Sequence, residues 1–219
     1  MKKNALVLGL GLSLSFFIAC NKKEAPGTDT QLKTPVTSPS VTDYFPLAAG
    51  DYWVYKQSFY DTNGNSIPQT WKNDSVVIKN DTVINSKNYR IVADYNYLGR
   101  TTPVINYYRD SSDCIVGDNG NIIFSTNASG AIYKYILSSD TIAYVNYTYN
   151  EAPTNVTVPL GTYSCVDFKG DVYRKADNYS KAYLVHKYYC KNIGPVKKTE
   201  LFVNSLYRLN FELLSYHVQ

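Results

Sequence analysis

The sequence of 219 residues predicts an all-β fold: an antiparallel, strongly curved sheet, either a half-barrel or a barrel-like sandwich, of about a dozen strands. Three observations support this fold class. Aromatic and apolar residues alternate with polar ones in many short runs, which is the two-residue period of a half-buried strand. Short turns rich in Asn, Asp and Gly separate these runs. No window shows the apolar stripe with a 3.6-residue period that marks an amphipathic helix.

Residues 52–60 show the clearest strand pattern, with Trp53, Tyr55 and Phe59 on one face. The Asn63-Gly64 pair that follows is a strong hairpin signal, because both residues accept the positive φ of a tight turn. Residues 80–81 and 159–161 read as further breaks. The other predicted strands are 71–79, 82–84, 89–97, 104–109, 114–116, 122–124, 131–137, 141–149, 155–158, 163–168, 171–174, 181–190, 196–202 and 207–218.

The N-terminus reads as a signal segment, residues 1–19. Lys2 and Lys3 precede an uncharged, mostly apolar run over residues 5–19, which is shorter than the roughly 20 residues of a membrane-spanning helix. Because a small residue stands just before Cys20, this start resembles the bacterial lipoprotein signal, although Phe17 stands where Leu is usual. The resemblance implies cleavage before Cys20 and a diacylglycerol on its sulfur. The lipid bilayer is then a partner of the chain, held through the acylated Cys20. The alternative is an ordinary secreted protein cleaved elsewhere.

The mature chain divides into two parts. Residues 20–43 form the lipidated N-terminus and a disordered tether, because the segment is rich in Thr, Ser and Pro and has no apolar period. Residues 44–219 form a single all-β domain. Loss of Lys2 and Lys3 takes the formal net charge from +4 to +2. This balance, without any Lys/Arg cluster larger than a pair, argues against a nucleic-acid partner.

Five segments resemble, in their order along the chain, a group of cell-envelope lipoproteins common in the Bacteroidetes, most of unassigned function. These segments are residues 44–55, 81–89, 107–110, 158–163 and 188–197. The last two are also similar to segments of the curved antiparallel half-barrel of LolA-like periplasmic lipoprotein carriers. The resemblance implies a concave apolar face that holds an acyl chain or a protein partner. It supplies no catalytic residues.

Three cysteines remain once Cys20 is lipidated. Cys165 and Cys190 lie in strand-like runs of the same C-terminal region, so we expect them to form a disulfide in the oxidising envelope. Cys114 is then the odd thiol. The alternative is three buried free thiols.

The sequence contains 22 Tyr, and aromatic rows suggest one specific binding surface. A row of exposed rings forms a platform on which sugar rings stack, whereas the alternative role for the same rows is cross-strand packing inside a curved sheet. The candidate platform residues are Trp53, Tyr55, Phe59, Tyr144, Tyr147 and Tyr149.

The sequence carries no recognisable catalytic set. The two histidines, His186 and His217, lie inside strand-like runs, and no metal-binding or nucleophile motif accompanies them. We therefore expect no enzymatic activity, no cofactor and no metal. The leading hypothesis is a membrane-anchored binding or structural module that holds an apolar ligand or an envelope protein in a concave sheet. The alternatives are a surface glycan-binding lipoprotein and an enzyme with an unrecognised site.

The residues after Cys20 also bear on location. Asn21, rather than Asp, follows the cysteine, which by analogy with enterobacterial sorting favours the outer membrane. Surface-export signals in Bacteroidetes are typically acidic at this point, and Lys22-Lys23-Glu24 is not. We therefore expect the periplasmic face of the outer membrane rather than the cell surface.

Overall fold

The computed structural model describes residues 40–127, 129–137 and 140–219. One short helix, α1, spans Val41–Tyr44, and 3₁₀ turns span Tyr97–Gly99 and Lys175–Asp177. The strands are β1 Tyr52–Tyr60, β2 Ser66–Ile67, β3 Asp74–Ile84, β4 Lys87–Tyr95, β5 Val104–Ser111, β6 Cys114–Gly117, β7 Ile122–Ser125, β8 Ser129–Leu137, β9 Asp140–Val158, β10 Gly161–Arg174, β11 Ala182–Cys190, β12 Gly194–Leu201 and β13 Arg208–His217. No helix in these ranges is long and apolar enough to cross a membrane.

The strands form one antiparallel sheet that nearly closes into a barrel, which confirms the predicted fold class. The strand order is β7-β6-β5-β4-β3-β1-β13-β12-β11-β10-β9-β8, and β2 pairs only with β1. Pairing of β1 with β13 joins the beginning and the end of the sheet-forming chain. The two outermost strands of the order, β7 and β8, also contact each other, so the sheet curves back on itself and acquires a concave interior.

The alternation seen in the sequence determines which side chains face this interior. In β1, Trp53 and Tyr55 are fully buried, whereas Tyr52 and Lys56 are exposed. The indole of Trp53 donates to the carbonyl of Ile193 at 2.6 Å. The Tyr55 hydroxyl donates to the carbonyl of Pro195 at 2.8 Å. These two bonds tie β1 to the start of β12 across the interior.

Several predicted breaks are absent, and in β3 and β9 a bulge carries the strand through the predicted break. The turn predicted at residues 80–81 is wrong: β3 runs unbroken to Ile84, and its register with β4 shifts between Ile78 and Asp81. Likewise, residues 141–149 and 155–158 belong to the single strand β9, and β10 passes through Gly170 without a turn. A bulge takes up an extra residue and bends a strand without ending it.

The folded region begins earlier than residue 44, so the predicted end of the tether at residue 43 is wrong. Ser40 caps α1, with its hydroxyl accepting from the backbone N–H of Thr42 at 3.4 Å. Val41 is only 1% exposed and belongs to the core with Phe124 and Phe168. Val41, together with Phe45, thus fixes the segment before the first strand to the barrel.

Candidate functional site

The concave interior of the barrel contains a cavity of about 270 Å³. Its lining comes from β4, β5, β7, β9, β10, β11 and β12, together with Tyr97 of the first 3₁₀ turn. Because these strands lie in both halves of the sheet order, the cavity occupies the concave side of the sheet. A second cavity of about 130 Å³ adjoins it and shares Asp94, Asn106, Tyr108 and Lys198 among its lining residues. Together they offer far more space than the ~15 Å³ that one water molecule needs.

One wall of the cavity is apolar. Val145, Val172 and Val185 contribute branched side chains from neighbouring strands, and all three are buried. Tyr147 stacks on Phe168 with 4.6 Å between ring centroids and 6° between ring planes. Gly170 permits this packing, because a Cβ there would lie 2.6 Å from Val145 and 2.7 Å from the Tyr147 ring. The strand residue without a side chain therefore leaves room for the aromatic lining.

Another part of the cavity lining, on the neighbouring strands β11 and β12, carries charges. Lys198 Nζ lies 3.2 Å from Glu200 Oε1 and 3.9 Å from the centroid of the Phe211 ring. Tyr97 donates its hydroxyl proton to Glu200 Oε2 at 2.5 Å. The side chains of Lys198 and Glu200 keep 20% and 30% of their exposure, consistent with groups that line a cavity. Lys187 pairs with Lys198 across β11 and β12, and its ammonium lies 4.6 Å from the centroid of the Tyr147 ring.

Electrostatic pairing keeps this part of the lining ionised. Burial by itself lowers the pKa of Lys198, but the carboxylates of Glu200, Asp94 and Asp74 outweigh it and raise that pKa well above its ordinary value. Burial by itself raises the pKa of Glu200, but the Lys198 ammonium and the Tyr97 hydroxyl outweigh it and lower that pKa. Both members of the pair are therefore charged at neutral pH.

A pair of carboxyl groups stands beside these charges. Asp74 and Asp94 lie on the neighbouring strands β3 and β4, where Val76 pairs with Asp94. Burial, and then the hydrogen bond to Asp94, raise the pKa of Asp74 from 3.8 to about 9. Asp74 is therefore a neutral acid at pH 7 and donates its proton to Asp94. Such sharing is expected of two buried carboxyl groups in contact, because both cannot ionise cheaply.

The structure does not assemble the predicted aromatic platform. Trp53, Tyr55 and Tyr147 are at most 3% exposed, so the prediction that they form an exposed stacking surface is wrong. Their rings fill the curved interior, where Trp53 and Tyr55 line the smaller cavity and Tyr147 the larger one.

The other three platform residues lie apart from one another. Phe59 packs edge-on against Phe202 and Tyr207. Tyr144 stacks on Tyr173 with 4.9 Å between centroids, while Tyr149 meets Phe124 edge-on. Cross-strand packing, the alternative role, accounts for these contacts.

The three described cysteines are free thiols. The register that places Val166 opposite Tyr189 carries Cys165 toward Cys190, and the two thiols share a hydrogen bond that lowers the pKa of Cys190 to about 7 and raises that of Cys165. The two predicted partners are thus neighbours, and their disulfide stays a prediction. The lipidation site, Cys20, lies outside the described residues.

The histidines occupy local contacts. His186 Nδ1 lies 2.8 Å from Asp167 Oδ2, and its ring stacks on Tyr188. His217 stacks on Tyr52. Within the described ranges, no three His, Cys, Asp or Glu side chains are arranged to hold a metal ion.

The charged cavity residues were missed by the sequence analysis, although a signal was present. In β12, Val196, Lys198 and Glu200 share one face, so two charged residues continue a face that starts with a buried valine. In β4, Val92 and Asp94 show the same sequence of an apolar and then a charged residue on one face. Charged residues on the apolar face of a strand indicate either a paired buried charge or a polar binding site.

Comparison with known proteins adds little to this geometry. No protein-family model and no curated protein matches the chain. A solved structure of a protein described as exported, with a YmcC-like fold, from Bacteroides fragilis is similar at 11% identity and a TM-score of 0.41, covering 80% of this chain and 98% of that one. A second, of a protein described as a lipoprotein from Parabacteroides distasonis, is similar at 13% identity and a TM-score of 0.41, covering 79% and 97%.

Proposed function

We propose that this chain is a lipid-anchored cell-envelope protein that binds a small amphiphilic ligand inside its barrel and catalyses no reaction. The observation that carries the proposal is the interior cavity of about 270 Å³ with one apolar and one charged wall. Ligand sites are typically concave, largely apolar and supplied with a few placed polar groups. This cavity is concave and combines apolar side chains with a few placed charged groups.

The two walls specify the chemistry of the ligand. Val145, Val172 and Val185 favour an alkyl or other apolar portion, because burying apolar surface contributes about 25 cal/mol per Å². Lys198, Glu200 and Asp94 favour a polar head, because charged groups form the stronger hydrogen bonds. A purely apolar ligand would displace water from these charged groups without offering them a hydrogen bond.

The N-terminal signal supplies the location. Lipidation of Cys20 holds the chain on a bilayer, and the tether keeps the barrel within a few nanometres of it. We place the protein at the periplasmic face of the outer membrane, because Asn21 follows Cys20 and residues 22–24 do not match an acidic surface-export signal. An amphiphile drawn from the adjoining membrane or periplasm is then within reach of the cavity.

Native mass spectrometry of the Cys20→Ser chain, purified without detergent, tests this function. We expect a population carrying one small amphiphile per chain. Val104→Phe places a ring in the cavity lining and should reduce that population at least tenfold. Val83→Phe makes the same change at a residue that is 67% exposed and should leave it unchanged.

Two results would count against the function. An undiminished bound population in Val104→Phe would show that the amphiphile binds outside the cavity. A purified chain that carries nothing and takes up no added amphiphile, such as n-octanol, would remove the proposal altogether.

A further inference from the structure

Four exposed apolar or aromatic side chains lie at one end of the barrel. Antiparallel pairing brings the start of β1, the end of β13 and the β3–β4, β9–β10 and β11–β12 turns to this end. The exposed side chains there are Tyr52 in β1, Val83 in β3, Leu160 in the β9–β10 turn and Tyr216 in β13. Grouped side chains of this kind that stay open to solvent in the folded chain mark a surface for a partner.

These four side chains occupy neighbouring positions around the end of the barrel. The strands β13, β1 and β3, which carry Tyr216, Tyr52 and Val83, are consecutive in the sheet order. The β9–β10 turn lies beside them, because the backbone N–H of Leu160 donates to the carbonyl of Leu213 in β13 at 3.2 Å. We call the four side chains the apolar rim.

The described chain begins at the same end of the barrel. The carbonyl of Asp43 in α1 accepts from the backbone N–H of Asn192, in the β11–β12 turn, at 2.7 Å. The predicted lipidation site, Cys20, lies 20 positions before Ser40, and a flexible segment of that length spans on the order of 25 Å. The end that carries the apolar rim is therefore the end through which the chain joins its anchor.

The charges at this end favour an apolar contact over an electrostatic one. Lys191 Nζ lies 3.4 Å from Asp43 Oδ2, and Arg90 pairs with Asp81. Cations paired in this way attract an anionic surface only weakly, because the neighbouring carboxylates offset them. Aliphatic side chains and tyrosine rings, in contrast, are favoured at the boundary between lipid headgroups and acyl chains. The apolar rim therefore fits a bilayer surface better than it fits a polyanion.

A surface groove of about 310 Å³ opens at the same end. Leu47 and the exposed residues Asp81 and Asn88 border it. Tyr108 lines this groove and also both interior cavities, so the groove leads from the rim toward the interior. A bilayer in contact with the rim would lie beside this groove and could supply the amphiphilic ligand through it.

We infer that the apolar rim contacts the lipid bilayer, with Leu160 and Val83 at the acyl-chain boundary and Tyr52 and Tyr216 among the headgroups. This inference rests on the proposed anchor and goes beyond it, because an anchor alone does not orient the barrel. The rim does not replace the anchor. The acyl chains raise the local concentration of the barrel at the membrane, and a small apolar surface then stays in contact.

Quenching of introduced tryptophans by brominated lipid tests the inference. The lipidated full chain is reconstituted in phosphatidylcholine vesicles with and without bromine on the acyl chains, and the emission of the parent chain is subtracted. Leu184→Trp is the matched control for Leu160→Trp, because Leu184 is similarly exposed, 48% against 40%, at the opposite end of the barrel. We expect brominated lipid to quench roughly half or more of the emission added by Leu160→Trp and to leave that of Leu184→Trp unchanged.

A second pair of variants makes the test independent of one turn. Val83→Trp places the reporter on the rim, and Ile105→Trp places it at an exposed strand position near the opposite end. We expect the same contrast, with quenching in Val83→Trp alone. Urea unfolding identifies a variant that does not fold, and the other pair then decides the question.

The outcomes separate this inference from the proposed function. Equal quenching at rim and opposite-end positions, or no quenching at the rim in a chain that floats with the vesicles, overturns the inference and leaves the anchor and the cavity as proposed. A full chain that does not float with the vesicles lacks the anchor, so the proposed location and the inference fail together. Quenching confined to the rim in a chain that binds no amphiphile supports the inference and removes only the ligand-binding function.

Discussion

Asp74 is a carboxyl group whose ionisation the fold alters strongly. It is fully buried, and burial together with the hydrogen bond to Asp94 raises its pKa from 3.8 to about 9. The folded chain therefore keeps a proton that the unfolded chain loses near pH 4. Stability from this group is complete below pH 4 and is lost as pH rises to about 9, with a slope of at most about 1.4 kcal/mol per pH unit.

Asp74→Asn imitates the protonated acid and should flatten this dependence. Between pH 5 and pH 8.5, the free energy of unfolding of the parent chain should fall relative to that of the variant. Urea unfolding at several pH values measures the difference, and Asp110→Asn provides the control with no differential effect. Parallel pH profiles for the parent and Asp74→Asn would show that Asp74 is ionised in the folded chain.

The second prediction at the scale of residues concerns Cys165 and Cys190. The two thiols are neighbours, and the lowered pKa of Cys190 favours the thiolate that initiates disulfide formation. Protein exported to an oxidising compartment should contain the Cys165–Cys190 disulfide, with Cys114 reduced. The bridge should stabilise the fold by about 3 kcal/mol, because it closes a loop of roughly 25 residues.

Peptide mapping after alkylation without reductant measures this pairing. The peptides containing Cys165 and Cys190 should appear linked, and the Cys114 peptide should be alkylated. Alkylation of all three cysteines before reduction would mean that the thiols stay free, which is the alternative to the disulfide given above.

At the scale of elements, the start of β12 depends on close contact with β1. Gly194 has φ +99°, and a Cβ there would lie 2.9 Å from the Trp53 ring. That ring is held by its own hydrogen bond to Ile193. The contact fixes β12, and hence Lys198 and Glu200, relative to the interior.

Gly194→Ala should therefore lower the free energy of unfolding by about 2–4 kcal/mol, from backbone strain and overpacking combined. Gly64→Ala is the matched control, because Gly64 has φ +85° but no heavy atom within 4 Å of the added Cβ. It should cost only about 1–2 kcal/mol. Urea denaturation compares the two, and equal losses would show that the Trp53 contact tolerates the added methyl group.

Individual elements show why some predictions from sequence succeed. The structure places β1 at Tyr52–Tyr60, the predicted range, because strict alternation and flanking turn residues agree there. β3 and β9 exceed their predicted lengths because polar residues at bulges resemble turns when only the sequence is read. Local pattern specifies a strand, whereas its continuity depends on pairing with its neighbour.

The cavity shows what could not be predicted about the site from the sequence. Asp94 and Lys198 are more than 100 positions apart in the chain, and only closure of the sheet brings both to one cavity. Their charged character on an apolar face is visible in the sequence, but their meeting depends on strand order and register. The aromatic residues were identified, but whether they are exposed or buried depends on which face the barrel encloses.

At the scale of the whole molecule, the anchor should determine where the barrel works. In cells, the parent chain should fractionate with membranes and be released by detergent but not by high salt, because acyl chains rather than charge hold it. Cys20→Ser should move the protein to the soluble fraction. Cys114→Ser should leave the distribution unchanged, and a membrane-bound Cys20→Ser chain would contradict lipidation.

The central claim is that the barrel interior is a ligand site. The most direct measurement is chemical-shift mapping of the isotope-labelled Cys20→Ser chain with n-octanol. This probe is uncharged, so the result does not depend on the charge of the natural ligand. Saturable shifts should concentrate at the cavity residues Val104, Val145, Val172 and Val185, with exposed Val83 unaffected. Shifts confined to the outer surface, or no shifts at saturating octanol, would contradict the claim.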